Sequence, residues 1–106
     1  MKQKVLDLLG LAKKAGKMIT GEDGVILGLQ KRSIKIVFVA KDASVQTIDR
    51  FDKKCFFYKV DCITDFTCEE ISNAIGSNRT IIGITDAGFT KAIKEKMWGE
   101  QIWVWK

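Results

Sequence analysis

The segment from Ile34 to Ala40 restricts the possible folds more than any other part of the sequence. Apart from Lys35, it is a continuous run of β-branched, aromatic and small apolar residues. Such a run is typical of a β-strand covered on both faces, because a strand with one face in water alternates apolar and polar residues. We therefore expect an apolar layer on each side of this strand.

Helical patterns precede and follow this strand. The second predicted helix has Thr20 as its N-cap and the third is capped by Asp42 or Ser44, because short polar side chains accept hydrogen bonds from the first helical turn. Thr67 and Glu70 form a capping box for the fourth helix. The spacing of apolar residues predicts five helices, at about residues 5–15, 21–32, 45–55, 67–75 and 87–97.

Extended segments separate these helices, at residues 17–19, 34–40, 58–63 and 80–85. This alternation predicts an α/β fold, a three-layer α/β/α sandwich with a central mixed sheet of about four strands. Residues 1–97 have the length of one domain. Residues 98–106 form a tail that holds all three tryptophans, and it is expected either to fold back on the domain or to contact a partner.

Composition argues against a membrane protein and against secretion. The longest apolar run, residues 36–40, is far too short to cross a bilayer. Asp7 interrupts the apolar residues near the N-terminus, which gives a helical pattern and not that of a signal peptide. We therefore expect a cytoplasmic protein without a membrane partner, and a monomer is favoured although the sequence does not fix the oligomeric state.

Composition also argues against an enzyme. The sequence contains no histidine, the usual general base near neutral pH. Its three cysteines, Cys55, Cys62 and Cys68, lack the close pairwise spacing of zinc ligands. We expect free thiols, no metal, no cofactor and no catalytic residues.

The charge is unevenly distributed along the chain. The net charge is +5, from 18 basic and 13 acidic side chains. Residues 1–35 carry eight Lys or Arg against three Asp or Glu, whereas residues 36–75 carry five against seven. This asymmetry favours a surface that faces a polyanion such as nucleic acid. A lysine-rich surface that is merely solvated would have the same composition.

Three loops carry groups suited to RNA. At residues 20–24 a glycine and free helical N–H groups suit a phosphate, and the carboxylates of Glu22 and Asp23 suit the amino groups of bases. Residues 41–44 end the central strand, and residues 76–79 offer an amide and a guanidinium. The glycines of the first loop could instead serve close packing of the second helix on the sheet. In the second loop, Asp42 and Ser44 could be ordinary helix caps, which leaves Lys41 without such an explanation, and the third loop could equally be an ordinary polar turn. Three lysines precede the first loop and are expected on its side: Lys13, Lys14 and Lys17.

Taken together, these segments resemble the bacterial branch of the kink-turn RNA-binding ribosomal-protein superfamily. The resemblance covers roughly residues 3–93, and the segment from Ile34 to Ser44 is its most specific part. It implies an α/β/α sandwich that binds a sharply bent RNA motif, the kink-turn, in ribosomal RNA or another structured RNA, without catalysis. The RNA-binding residues then expected are Lys13, Lys14, Lys17, Thr20, Gly21, Glu22, Asp23, Lys31, Lys41, Asn78 and Arg79.

The sequence departs from the family at its RNA-binding motif. The family pattern resembles Gly-x-Asn-Glu-x-x-Lys, and the same register begins here at Gly21, with Asp23 in place of the asparagine. Gly24 replaces the glutamate and Leu27 replaces the lysine. We therefore expect weaker kink-turn binding than the family implies. The alternative is a protein-interaction module on the same fold that has lost kink-turn specificity.

Overall fold

The computed structural model describes residues 2–99 and contains the predicted alternation of helices and strands. Within these residues, no helix is long and apolar enough to cross a membrane. Because α5 includes Trp98, only the remainder of the tryptophan-containing tail, residues 100–106, lies outside the described residues. The elements are α1 Lys2–Lys14, β1 Met18–Thr20, α2 Glu22–Gln30, β2 Ile36–Val39, α3 Val45–Tyr58, β3 Asp61–Ile63, α4 Cys68–Ile75, β4 Ile81–Ile84 and α5 Ala87–Trp98.

The four strands form one mixed sheet in the order β1-β4-β2-β3. Only β2 and β3 are parallel, and β4 is antiparallel to both of its neighbours. Thr20 therefore pairs with Ile82 and Val39 with Ile81, which brings the ends of β1 and β2 to the start of β4. We call this side of the sheet the helix-start edge, because α2 and α3 begin there, and the opposite side the helix-end edge.

The strand β2 is buried on both faces, as its sequence predicts. Ile36 and Phe38 pack in one apolar cluster with residues of α1, α4 and α5. Val37 and Val39 pack in a second cluster with residues of α2 and α3. Because successive side chains of a strand point to opposite faces, every residue of β2 needs to be apolar. The predicted three-layer α/β/α sandwich is confirmed.

The prediction that Thr20 caps α2 is wrong. Thr20 is the last residue of β1, and Gly21 occupies the N-cap position with a φ of 90°. The N–H of Gly21 donates to the carbonyl of Ile81 over 2.9 Å, so strand pairing continues past Thr20. The predicted strand at residues 58–63 also starts too early, because α3 continues through Tyr58.

In the loop after β2, Asp42 and Ser44 bind the starts of two different helices, whereas either one was predicted to cap α3. Ser44 caps α3 by accepting a hydrogen bond from the N–H of Thr47, whereas Asp42 accepts one from the N–H of Cys68 at the start of α4. Asp42 thus joins two helix starts and does not cap its own helix. Val45 is 80% exposed because it lies in the first turn of α3, outside the end of β2. The capping box of Thr67 and Glu70 is confirmed.

Two glycines let α2 lie close to the sheet. A Cβ at Gly28 of α2 would come within 2.6 Å of Ile34 Cδ1, and one at Gly83 of β4 within 2.7 Å of the same atom. Ile34 is buried, so its side chain fills a slot that exists only because both neighbours lack a Cβ. This slot sets the height of α2 above the sheet.

Filling the slot should destabilise the fold. We expect Gly83→Val to lower the free energy of unfolding by about 1–3 kcal/mol, the usual cost of overpacking a core. Ile34→Ala should make room for the new side chain, so the double variant should lose less stability than the two single losses added together. Urea denaturation of the four proteins measures this coupling, and strictly additive losses would contradict the shared slot.

Candidate nucleic-acid interface

At the helix-start edge, Arg79 is held against the start of α2. Its Nε donates to Thr20 Oγ1 over 3.3 Å, and its Nη1 donates to the carbonyl of Asn78 over 2.8 Å. Thr20 and Arg79 are 59 positions apart in the chain. The pairing of β1 with β4 brings them together, and the side-chain bond fixes the guanidinium beside Gly21.

The N-terminus of α2 has no side-chain cap. The backbone of Gly21 leaves the strand in a left-handed conformation, which glycine adopts without strain. N–H groups of a first helical turn lack partners within the helix, so an acceptor from a ligand can take them. The helix-start edge therefore places the uncapped N-terminus of α2 next to the guanidinium of Arg79.

The two carboxylates of this helix start have different surroundings. Glu22 forms an ion pair with Arg50 of α3 and is thereby engaged. Asp23 is exposed. A carboxylate accepts hydrogen bonds from the amino groups of guanine and cytosine but repels phosphate. Asp23 therefore suits a base edge and not the RNA backbone.

The turn at residues 76–79 is bound to α4. The N–H of Arg79 donates to Ser72 Oγ over 3.0 Å, and Asn78 Oδ1 accepts from the same hydroxyl over 3.4 Å. Gly76 ends α4 in a left-handed conformation. These bonds hold the turn, and with it Arg79, in one position relative to the start of α2.

Lys41 lies farther along the same edge, beside α1 and α5. It lines a cavity of about 420 Å³ together with Lys2, Asp65 and Lys96. Lys2 also pairs with Glu70 over 3.5 Å. The pKa of the Glu70 carboxyl lies below its ordinary value, mainly because the N–H of Thr67 donates to it and secondarily because of Lys2.

Four of the expected RNA-binding lysines lie at the other side of the sheet. Lys17 precedes β1, and its carbonyl accepts from the N–H of Thr85, just past the end of β4. Because each strand residue adds about 3.3 Å, β1 separates Lys17 from Gly21 by roughly 13 Å. Because Lys17 and Gly21 are close in sequence, the lysines and the first loop were expected on one surface. The strand β1 lies between them and places them on two separate surfaces. The four expected lysines that lie at the helix-end edge are Lys13, Lys14, Lys17 and Lys31.

Sequence reasoning missed three basic residues of the helix-start edge. Arg50 reaches the start of α2 from a helix 28 positions away in the chain. Lys2 and Lys96 approach Lys41 from opposite ends of the sequence. No local pattern marks these residues, since only the packing of α1, α3 and α5 brings them to this edge.

Similarity to known proteins agrees with this architecture. The chain is 44% identical over 98 residues to the RNA-binding protein YlxQ of Enterococcus faecium, and the alignment covers 92% of this chain and 95% of that protein. It is 34% identical over 87 residues to the RNA-binding protein YlxQ of Bacillus subtilis strain 168, covering 81% and 87%. The chain belongs to the YlxQ family. No protein-family model matches the sequence.

Two solved structures resemble this YlxQ-family chain. A protein of unknown function from Bacillus halodurans C has a TM-score of 0.82 at 33% identity, with 85% of this chain and 92% of that chain covered. The Giardia lamblia 15.5kD RNA binding protein has a TM-score of 0.78 at 12% identity, with 89% and 82% covered. At this low identity, the second similarity shows that the fold is shared. Across residues 2–99 of the YlxQ-family chain, no group of three or more Cys, Asp or Glu could hold a metal ion.

Proposed function

We propose that the chain is a non-catalytic protein that binds structured RNA of the kink-turn type, in ribosomal RNA or another folded RNA, through the helix-start edge. One observation carries the proposal: the guanidinium of Arg79 is fixed by Thr20 beside the uncapped start of α2. The names of both YlxQ relatives, which describe RNA-binding proteins, support it.

The groups at this edge divide into contacts to the backbone and contacts to bases. A guanidinium can bind a phosphate through two parallel hydrogen bonds, and helical N–H groups can bind further phosphate oxygens. Asp23 can accept from the exocyclic amino group of an unstacked base. Positive charge along the path of the bound RNA also comes from Lys2, Lys41 and Lys96. A folded RNA with an exposed base at a bend would use both kinds of contact.

Arg79 is more important for RNA binding because the family motif in α2 is incomplete. Leu27 is 49% exposed at the position where the family carries a lysine. The α2 helix therefore offers no cation at this position, and Gly24 offers no side chain. Arg50 is paired with the carboxylate of Glu22, whereas Arg79 is held beside the start of α2 by neutral groups, the hydroxyl of Thr20 and the carbonyl of Asn78.

Removing the guanidinium tests the proposal. We expect Arg79→Gln to weaken binding of a short kink-turn RNA by roughly ten- to a hundredfold, the value of about 1.5–3 kcal/mol for a lost charge-assisted contact. Titration of the RNA with parent and variant, with melting temperatures measured on both, gives the comparison.

Lys53→Gln is the matched control. Lys53 lies on α3, away from the helix-start edge, and its exposed pair with Asp49 should contribute little. A folded Arg79→Gln variant that binds the short kink-turn as tightly as the Lys53→Gln variant would refute the proposed site.

A further inference from the structure

The helix-end edge carries a continuous set of basic residues. Lys17 and Lys35 flank the end of β4, since the carbonyl of Lys17 accepts from the N–H of Thr85 and the N–H of Lys35 donates to the carbonyl of Ile84. The ends of α1, α2 and α3 add the other members. We define the basic edge as Lys13, Lys14, Lys17, Lys31, Arg32, Lys35 and Lys59.

Carboxylates do not neutralise this edge. Among residues 2–99, none of its seven cations forms an ion pair. Asp61, at the start of β3, pairs instead with Lys94 over 2.7 Å, and Asp86, after the end of β4, accepts from the N–H of Phe89 at the start of α5. At the helix-start edge, in contrast, Lys2 pairs with Glu70 and Arg50 pairs with Glu22.

Two members of the basic edge have an unusual backbone. Arg32 follows the end of α2 and Lys59 follows the end of α3, and both have a φ of 61°. This left-handed position after a helix is usually taken by glycine, because other residues are strained there. A cation near a helix C-terminus interacts favourably with the helix dipole. This interaction does not require the cation to occupy the strained left-handed position itself.

These two residues and Lys35 line one cavity of about 210 Å³. The guanidinium of Arg32 lies 5.3 Å from the centre of the Tyr58 ring, a contact that holds it in place without neutralising its charge. Three cations around one cavity, two of them in a backbone conformation that favours glycine, indicate a site for anionic groups of a ligand.

The width of the basic edge indicates a polyanion. Lys17 precedes β1 at one border of the sheet, and Lys59 closely precedes β3 at the other. With strands about 4.8 Å apart, the four strands set them roughly 14 Å apart. One small anion in the cavity would leave the other lysines of the edge without a partner, whereas spaced phosphates of a nucleic acid backbone would meet several.

We infer that the basic edge is a second RNA-binding surface, which binds the phosphodiester backbone of duplex RNA without reading its sequence. The inference rests on the proposed function, because it adds a second contact to an RNA-binding chain. The α2 helix separates this surface from the helix-start edge by about 14 Å, the length of nine helical residues. The helix-start edge then recognises the bend, and the basic edge holds a neighbouring duplex.

A triple variant tests the basic edge on RNA without a bend. Arg32→Gly, Lys35→Gln and Lys59→Gly together remove the three cations of the cavity. On a plain RNA duplex, the slope of log affinity against log salt should fall by about 2–3, since each phosphate contact contributes about 0.7–0.9. The melting temperature should rise by about 4–8 °C, because glycine relieves the left-handed strain. Weaker binding by a more stable protein is a combination that misfolding cannot produce.

Lys35→Gln alone is the second variant, and it removes a charge without touching a left-handed residue. It should weaken duplex binding more than the control Lys4→Gln, which removes the charge of an exposed lysine in the first turn of α1, at the opposite side of the sheet. Unchanged duplex binding by both the triple variant and Lys35→Gln would overturn the inference, and so would an equal loss with Lys4→Gln or a parent protein that binds no duplex at low salt.

A short kink-turn RNA separates this inference from the proposed function. Arg79→Gln should weaken binding of the short kink-turn and leave the plain duplex nearly unaffected, and the triple variant should do the reverse. Loss of the first effect alone would refute the proposed site at the helix-start edge. Loss of the second alone would refute the basic edge.

Discussion

Raising the salt concentration from about 50 to about 200 mM should weaken binding of an RNA that joins a kink-turn to a flanking duplex by about ten-thousandfold. Each phosphate that a cation neutralises releases a counterion, and six to ten such contacts give losses of about 10³ to 10⁵ over this range. The seven cations of the basic edge together with Arg79 and Lys41 provide this number.

The response should depend on the length of the RNA. A short kink-turn that reaches only the helix-start edge should lose roughly ten- to a hundredfold over the same range, because two to four cations are within its reach. Filter binding at several salt concentrations gives both slopes under the same conditions. A nearly flat response for the longer RNA would show that these lysines and arginines are solvated and do not contact phosphates.

Local sequence patterns predicted the fold because they act over short distances. The apolar run of β2 requires two covering layers, and the capping box of Thr67 and Glu70 fixes where α4 begins. The errors occurred where distant parts of the chain compete for the same group. Thr20 remains in the sheet because the N–H of the next residue, Gly21, donates to the carbonyl of Ile81 in the neighbouring strand. Asp42 does not cap α3 because it accepts a hydrogen bond from the first residue of α4.

The interface could be predicted only in part, for a similar reason. Gly21 follows the end of β1 whereas Arg79 precedes the start of β4, so it is the antiparallel pairing of these two strands, which no local pattern predicts, that brings the two loops to one edge. Of the basic edge, the sequence indicated four members as RNA-binding residues: Lys13, Lys14, Lys17 and Lys31. Lys35 had no such indication, because it lies within the apolar run of the strand segment. Arg32 and Lys59 also stand where glycine would be expected after a helix, so the sequence does not mark their shared cavity.

Restoring the two missing residues of the family motif should raise kink-turn affinity. We expect the variant with Gly24→Glu and Leu27→Lys to bind a short kink-turn RNA roughly ten- to a hundredfold more tightly than the parent. The new lysine supplies a phosphate contact, and the new glutamate supplies an acceptor for a base edge beside Asp23. Since Leu27 is 49% exposed, a lysine there leaves the core intact.

Gly24 sets the structural cost of this variant. A Cβ at this position would lie 3.0 Å from Ile19 Cγ2, so this half-buried side chain has to shift by a few tenths of an ångström. Replacing a glycine inside a helix favours the helix by somewhat less than about 1 kcal/mol, which opposes the cost of the shift. The double variant should therefore melt close to the parent, and differential scanning calorimetry checks this.

The control variant carries Gly24→Gln and Leu27→Met, which keeps side chains of similar size without the charges. It should gain the same helix propensity but little affinity, so a comparable gain in both variants would assign the effect to helix stability. A plain duplex provides the RNA control, because the restored motif recognises the bend and should leave duplex binding unchanged. If the folded charged variant binds kink-turn and duplex equally, or no better than the parent, the start of α2 is not the kink-turn site.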